Sequence, residues 1–140
     1  MKILFLLALL VSCGSVHAQL HLGKSEDALI SSLGSEYTKV SDENGNDVLA
    51  YYTDINEHPK FGDYSLLSSY FFENKSCVMQ QTLMPASQLN DLVSGFNSLY
   101  QKVGDLMWRS KEGIYYLLSV ESGTLRMKVL ADSIYERQLH

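Results

Sequence analysis

The groups able to do chemistry in this chain are few and scattered. Past residue 18 the histidines are His21, His58 and His140, and no two have the spacing that brings a pair of imidazoles onto one metal ion. There is no Cys-x-x-Cys pair, no His-Glu-x-x-His helix, no Gly-x-Ser-x-Gly elbow and no glycine-rich phosphate loop. A Ser-His-acid triad is spatial rather than sequential, and here it would rest on His58 alone, the one histidine in the middle of the chain. Asp42, Asn44 and Asn46 are spaced like the start of a calcium loop. Asp47, however, stands where such a loop turns on glycine, and Thr53 where it needs glutamate. A chain beginning Gln19-Leu20-His21 would offer an amine, two amide nitrogens and an imidazole to Cu(II) or Ni(II), but an N-terminal glutamine cyclises and removes the amine donor. The residues therefore predict no catalytic, cofactor-binding or metal-binding site.

The cysteines agree with that reading. Cys13 lies in the leader and leaves Cys77 without an intrachain partner. No His or Arg flanks Cys77 to lower its pKa. In Cys77-Val78-Met79-Gln80-Gln81-Thr82-Leu83, strand alternation puts Cys77, Met79 and Leu83 on one face, so Cys77 is expected inside as a small hydrophobe.

The leader, residues 1–18, carries Lys2 and then a charge-free run from Ile3 to Val11. That is the length of a signal-peptide core and too short to cross a bilayer. Two cuts compete. Val16-His17-Ala18 before Gln19 is an ordinary secretory site; Leu10-Val11-Ser12-Cys13 is a lipoprotein site that would anchor the chain through a lipid on Cys13. Cys13 follows the apolar run with no polar approach, so the cut after Ala18 is the expectation and lipidation the alternative. Either way the chain is expected to leave the cytoplasm, as a secreted or periplasmic protein or as a membrane-anchored one. Residues 19–140 are expected to form a single domain, with no membrane-spanning segment. A formal charge of −5 with few, scattered basic residues argues against nucleic acid.

Hydropathy then supplies the elements. Ser25 caps a short helix through Leu33, with Glu26 and Asp27 in its first turn, Leu29, Ile30 and Leu33 as its apolar stripe, and Gly34 ending it. Tyr37–Val40 and Val48–Thr53 read as strands around Asn44-Gly45. Asp54–Asp63 reads as the longest polar loop. Leu66–Phe72 and Cys77–Met84 form a hairpin, stopped by Pro85. Ser87 caps a second helix, Ser87–Tyr100, in which Leu89, Leu92, Val93, Phe96, Leu99 and Tyr100 share a face. Leu106–Arg109, Ile114–Val120 and Thr124–Leu130 make a closing meander. The prediction is an α+β fold: an antiparallel sheet of six to seven strands with two amphipathic helices on one face, and halves that suggest an α-β repeat duplication.

Gly23-Lys24-Ser25-Glu26-Asp27-Ala28-Leu29-Ile30-Ser31-Ser32-Leu33-Gly34 resembles the opening G-x-[ST]-x-x-x-[VL]-x-x-x-L-G of small exported αβ modules, among them SmpA/OmlA-type lipoproteins and the repeats of beta-lactamase inhibitor protein. Tyr70-Phe71-Phe72-Glu73-Asn74-Lys75-Ser76-Cys77 and Val103-Gly104-Asp105-Leu106-Met107-Trp108 are similar to stretches of small secreted bacterial proteins. The resemblance implies a fold and an address, and carries over no functional residues.

Two single-striped helices seal only one face of a sheet. The other face would present Thr124, Arg126 and Lys128, which alternate with Leu125, Met127 and Val129 in the last strand, together with some of the nine tyrosines. The expected function is accordingly a non-enzymatic envelope protein that binds another macromolecule, expected to be a protein, through this face. The alternatives are a small-molecule-binding or inhibitor module and, third, a hydrolase built on His58. Trp108 is expected in the core, and the loop around His58 is the competing binding edge.

Overall fold

The computed structural model describes residues 21–139. The leader, both cleavage sites, Cys13, Gln19 and His140 lie outside the described residues. No helix among the described residues is long and apolar enough to cross a membrane.

The described residues build one open antiparallel sheet of eight strands with three helices. The elements are α1 (Glu26–Leu33), β1 (Thr38–Ser41), β2 (Asp47–His58), β3 (Gly62–Glu73), β4 (Ser76–Pro85), α2 (Leu89–Leu99), β5 (Gln101–Gly104), β6 (Met107–Arg109), β7 (Ile114–Glu121), β8 (Thr124–Ala131) and α3 (Asp132–Leu139). The spatial order is β1-β2-β3-β4-β8-β7-β6-β5. Each half is a helix followed by four strands, and the halves meet where β4 pairs with β8.

Local chemistry sets the ends of these elements. The Ser25 hydroxyl accepts the Ala28 N–H at 3.1 Å and caps α1. Asp42 Oδ1 accepts the N–H groups of Asn44 and Asn46, both at 2.9 Å, so its carboxylate closes the β1–β2 turn. Asn74-Lys75 and Ser122-Gly123 form two-residue turns with positive φ at both positions, the hand that matches strand twist. Ser87 does not cap the second helix. A 3₁₀ turn, Ala86–Gln88, precedes α2, whose N-cap is Gln88 without a side-chain bond.

The strand pairing defines two faces. A row on the inner face runs Leu49–Tyr70–Gln80–Val129–Tyr116–Trp108 across six strands. Leu29 of α1 packs on Leu49, Tyr51, Tyr70, Phe72 and Cys77. Leu92 and Phe96 of α2 pack with Trp108, Tyr116, Leu125 and Val129. Trp108 is fully buried, as expected, and its Nε1 donates to Asn97 Oδ1 at 2.8 Å. Buried Gln80 and Thr82 lie between the two apolar clusters on this face.

Several expectations are corrected. The sheet has eight strands; the short β5 was missed, because its four residues carry a single large apolar side chain, Val103. Asp54–Asp63 is not a loop: β2 continues to His58 and β3 starts at Gly62. Leu33 and Leu99, assigned to apolar stripes, are exposed at the helix ends. Cys77 is buried, but not beside Met79. A bulge pairs Phe71 with Met79 and Phe72 with Cys77, so the extra residue Val78 moves Met79 to the outer face. The third helix, α3, lies on the outer face, so helices are not confined to one side.

Candidate functional site

The outer face divides at β8. Its first row, Val48–Phe71–Met79–Leu130–Tyr115–Arg109, lies under α3. The helix begins directly after β8 and is tied down on both flanks. Arg109 grips Asp132 through two hydrogen bonds, at 2.7 and 3.2 Å, and holds its carboxyl below the usual carboxylate range. Tyr135 stacks on Tyr115 at 4.1 Å between ring centroids, and its hydroxyl donates to Met107 Sδ. Arg137 reaches Glu73 of β3 at 2.8 Å. Leu130 is fully buried and Val48 nearly so. Gly113 makes the first tie sterically feasible: its φ is +84°, and a Cβ there would fall 2.7 Å from Asp132 Oδ2.

The following rows are progressively more open, the first of them half-buried and reached by Tyr135 of α3 at its Met107 end. They are Ala50–Ser69–Gln81–Lys128–Leu117, then Tyr52–Leu67–Leu83–Arg126–Ser119, then Asp54–Ser65 and Pro85–Thr124–Glu121. Thr124 and Arg126 are exposed and Lys128 is half-buried, so the three sequence-predicted residues share one surface. Among the described residues neither Arg126 nor Lys128 is in a salt bridge. Two shallow depressions of about 330 and 410 Å³ adjoin there and share Leu83 and Thr124. The first is also lined by Arg126, Ser119 and Glu121, the second by Tyr52, Ser65 and Leu67. Tyr52, 74% exposed, is the most prominent aromatic of this surface. Sequence reading missed Tyr52, Leu67, Leu83 and Ser119. Alternation in β2 against the inward Leu49 and Tyr51 would have found Tyr52; Leu83 required knowing the bulge.

A larger depression, about 510 Å³, lies beside α1 and β1. Lys39 lies 2.7 Å from Glu26 and 3.2 Å from Asp47, and hydrogen bonds to these two, Glu26 foremost, push its ammonium up to about 12. Asp27 and Lys75 line it as well, outside any salt bridge among the described residues.

His58 is occupied structurally. It is buried, its Nδ1 accepts the N–H groups of Lys60 and Phe61 at 3.1 and 3.0 Å, and its ring stacks on Phe61. Among the described residues its hydrogen-bond partners include no serine and no carboxylate, so they do not bring a triad together there. His21 is also buried, edge-on to Tyr70 at 5.5 Å; Gln19 and Leu20, the other residues of a terminal copper chelate, lie outside the described residues. Among the described residues no group of three His, Cys, Asp or Glu side chains is arranged to hold a metal. Burial pushes the Cys77 thiol up to about 11, away from thiolate chemistry. No protein-family model, curated protein or solved structure matches the chain.

Proposed function

We propose that this chain is an exported, non-enzymatic cell-envelope protein that binds a protein partner through the open part of its outer face, with Arg126, Lys128 and Thr124 in the contact. One observation carries the reading. In a chain of net charge −5, Arg126 and Lys128, in no salt bridge among the described residues, sit together on a sheet surface whose Arg126 row also carries the exposed Tyr52, three strands away. Tyrosine and arginine are the side chains that most often anchor protein interfaces, because each offers a large contact area and a directional polar group. Exposed cations attract a partner's carboxylates before contact and fix its register. Reversing both charges, Arg126→Glu with Lys128→Glu, should leave the far-UV spectrum and unfolding midpoint nearly unchanged and abolish capture of the partner from an envelope extract. Unchanged capture by a folded double variant would overturn the reading.

The address is proposed on the leader alone. Cleavage after Ala18 releases the chain, and intact mass of the native protein tests it; a diacyl or triacyl adduct on Cys13 would establish the lipid-anchored alternative. We infer further that the chain arose by duplication. The repeated order of one helix and four strands supports this, with β4 and β8 meeting at the centre, as does the resemblance of Gly23–Gly34 to the opening of small repeated exported modules.

A further inference from the structure

We propose that the occupant of the open surface is an amphipathic helix of the partner protein, laid beside α3 and carrying carboxylates toward Arg126 and Lys128. The inference rests on the open face being the binding surface, and adds the form and charge of what binds.

The first argument is backbone satisfaction. In the rows of Lys128 and Arg126 the strands β3, β4 and β8 are paired on both sides, while β7 is paired with β6 only through Leu117, so that its Ser119–Glu121 stretch is an edge. A segment laid across β3, β4 and β8 finds no backbone partner there. An extended peptide would bring its own unpaired groups onto a partly apolar surface, whereas a helix arrives with its backbone bonds already made.

The second argument is size. The rows of Lys128, Arg126 and Thr124 cover about 13 Å along the strands, at roughly 3.3 Å per residue. A helix with side chains is about 10–12 Å across, so one fits beside α3 and a second does not. From β2 to β7 the surface spans about 19 Å at roughly 4.8 Å per strand, the length of a helix of about 13 residues.

The third argument is chemical precedent within the molecule. On the adjacent row α3 docks by setting Asp132 on Arg109 and Tyr135 on Tyr115. The open rows offer the same kinds of group without their counterparts: Arg126 and Lys128 for a carboxylate, and Tyr52, Leu67, Leu83 and Leu117 for an apolar stripe. Glu121 at the border disfavours acidic side chains there and favours a basic or neutral one.

The test uses a library of random 16-residue peptides, selected on the intact protein and counter-selected on the Arg126→Glu, Lys128→Glu variant. Ser119→Trp, which fills the same surface without changing charge, is a second blocking variant should the first fail to fold. The expected winners have apolar residues at i, i+3, i+4 and i+7 with Asp or Glu along the stripe. As synthetic peptides they gain helical circular dichroism on adding the protein, and they bind the blocked variants at least tenfold more weakly. Winners with alternating or proline-rich patterns that stay extended when bound, yet are weakened by the same variants, would overturn the helix inference and leave the open-face reading standing. Winners that bind wild type and blocked variants equally, or no enrichment at all, would overturn both.

Discussion

Leu130 and Arg126 stand four residues apart on the same strand and the same face, yet one is fully buried and the other exposed. The difference is α3. Over Leu130 the helix fastens through Asp132, Tyr135 and Arg137, and the row beneath becomes core; over Arg126 there is no described cover. Two rows of one sheet face, separated by the Lys128 row, thus differ in cover, and the open one is the surface we propose for recognition. Whether a strand face is wet is settled by what the rest of the chain lays on it.

The largest expected effect lies at the covered row. Leu130→Ala should cost about 2–5 kcal/mol, because α3 cannot collapse fully into the space left behind. Arg126→Ala should change stability by no more than about 0.5 kcal/mol. Urea unfolding of the two variants gives the contrast directly. Equal losses would mean that α3 seals less of the face than its ties suggest.

The inner face extends the comparison to pH. Burial raises the Cys77 thiol from an ordinary value near 9 to about 11, and the Tyr70 phenol from near 10 to about 12. Between pH 9 and 11 the unfolded chain gives up a thiol proton that the folded chain keeps. This contribution is therefore whole below pH 9 and is lost as pH rises toward 11, by about 2–3 kcal/mol for the thiol. Cys77→Ala should remove that part of the alkaline slope. In the native protein at pH 8, Cys77 should also alkylate far more slowly than in urea.

How much of this was legible in the sequence depends on the range of the signal. Ser25, Asn74-Lys75 and Ser122-Gly123 act on neighbours within a few residues, and the elements they bound were found. Alternation in Thr124–Val129 correctly put Arg126 and Lys128 on the outer side. Carried on to Leu130 the same period says wet, and there a helix makes the residue buried. Alternation failed at Met79, because a bulge is set by the partner strand as well as by local sequence. His58 carried only the hydrolase alternative and the competing binding edge; its Nδ1 closes the turn at Lys60 and Phe61, a use visible only once the hairpin is formed.

A smaller effect sharpens the role of α3. Gly113→Ala puts a Cβ against the Asp132 carboxylate at a positive φ, and should cost about 1–2 kcal/mol. The loss should appear as faster amide exchange in α3, with β7 and β8 still protected. Acidification should reach the same state. Asp132 titrates below its ordinary value because of Arg109, so its contribution is present at neutral pH and is lost as pH falls through the folded-state pKa. An effect of similar size is expected at His58. His58→Ala should loosen the turn by about 1–2 kcal/mol, leaving two backbone N–H groups without their acceptor, while partner capture persists.

The central claim, that recognition occurs on the open rows of the outer face, is tested most directly by photo-crosslinking in the producing cell. A photoreactive side chain is placed singly at Tyr52 or Ser119 on the open surface, and at Ala28 or Asn90 on the exposed sides of α1 and α2. The account predicts a discrete adduct from Tyr52 and Ser119, lost when Arg126 and Lys128 are reversed, and none from the helix positions. An adduct confined to Ala28 or Asn90 would contradict it.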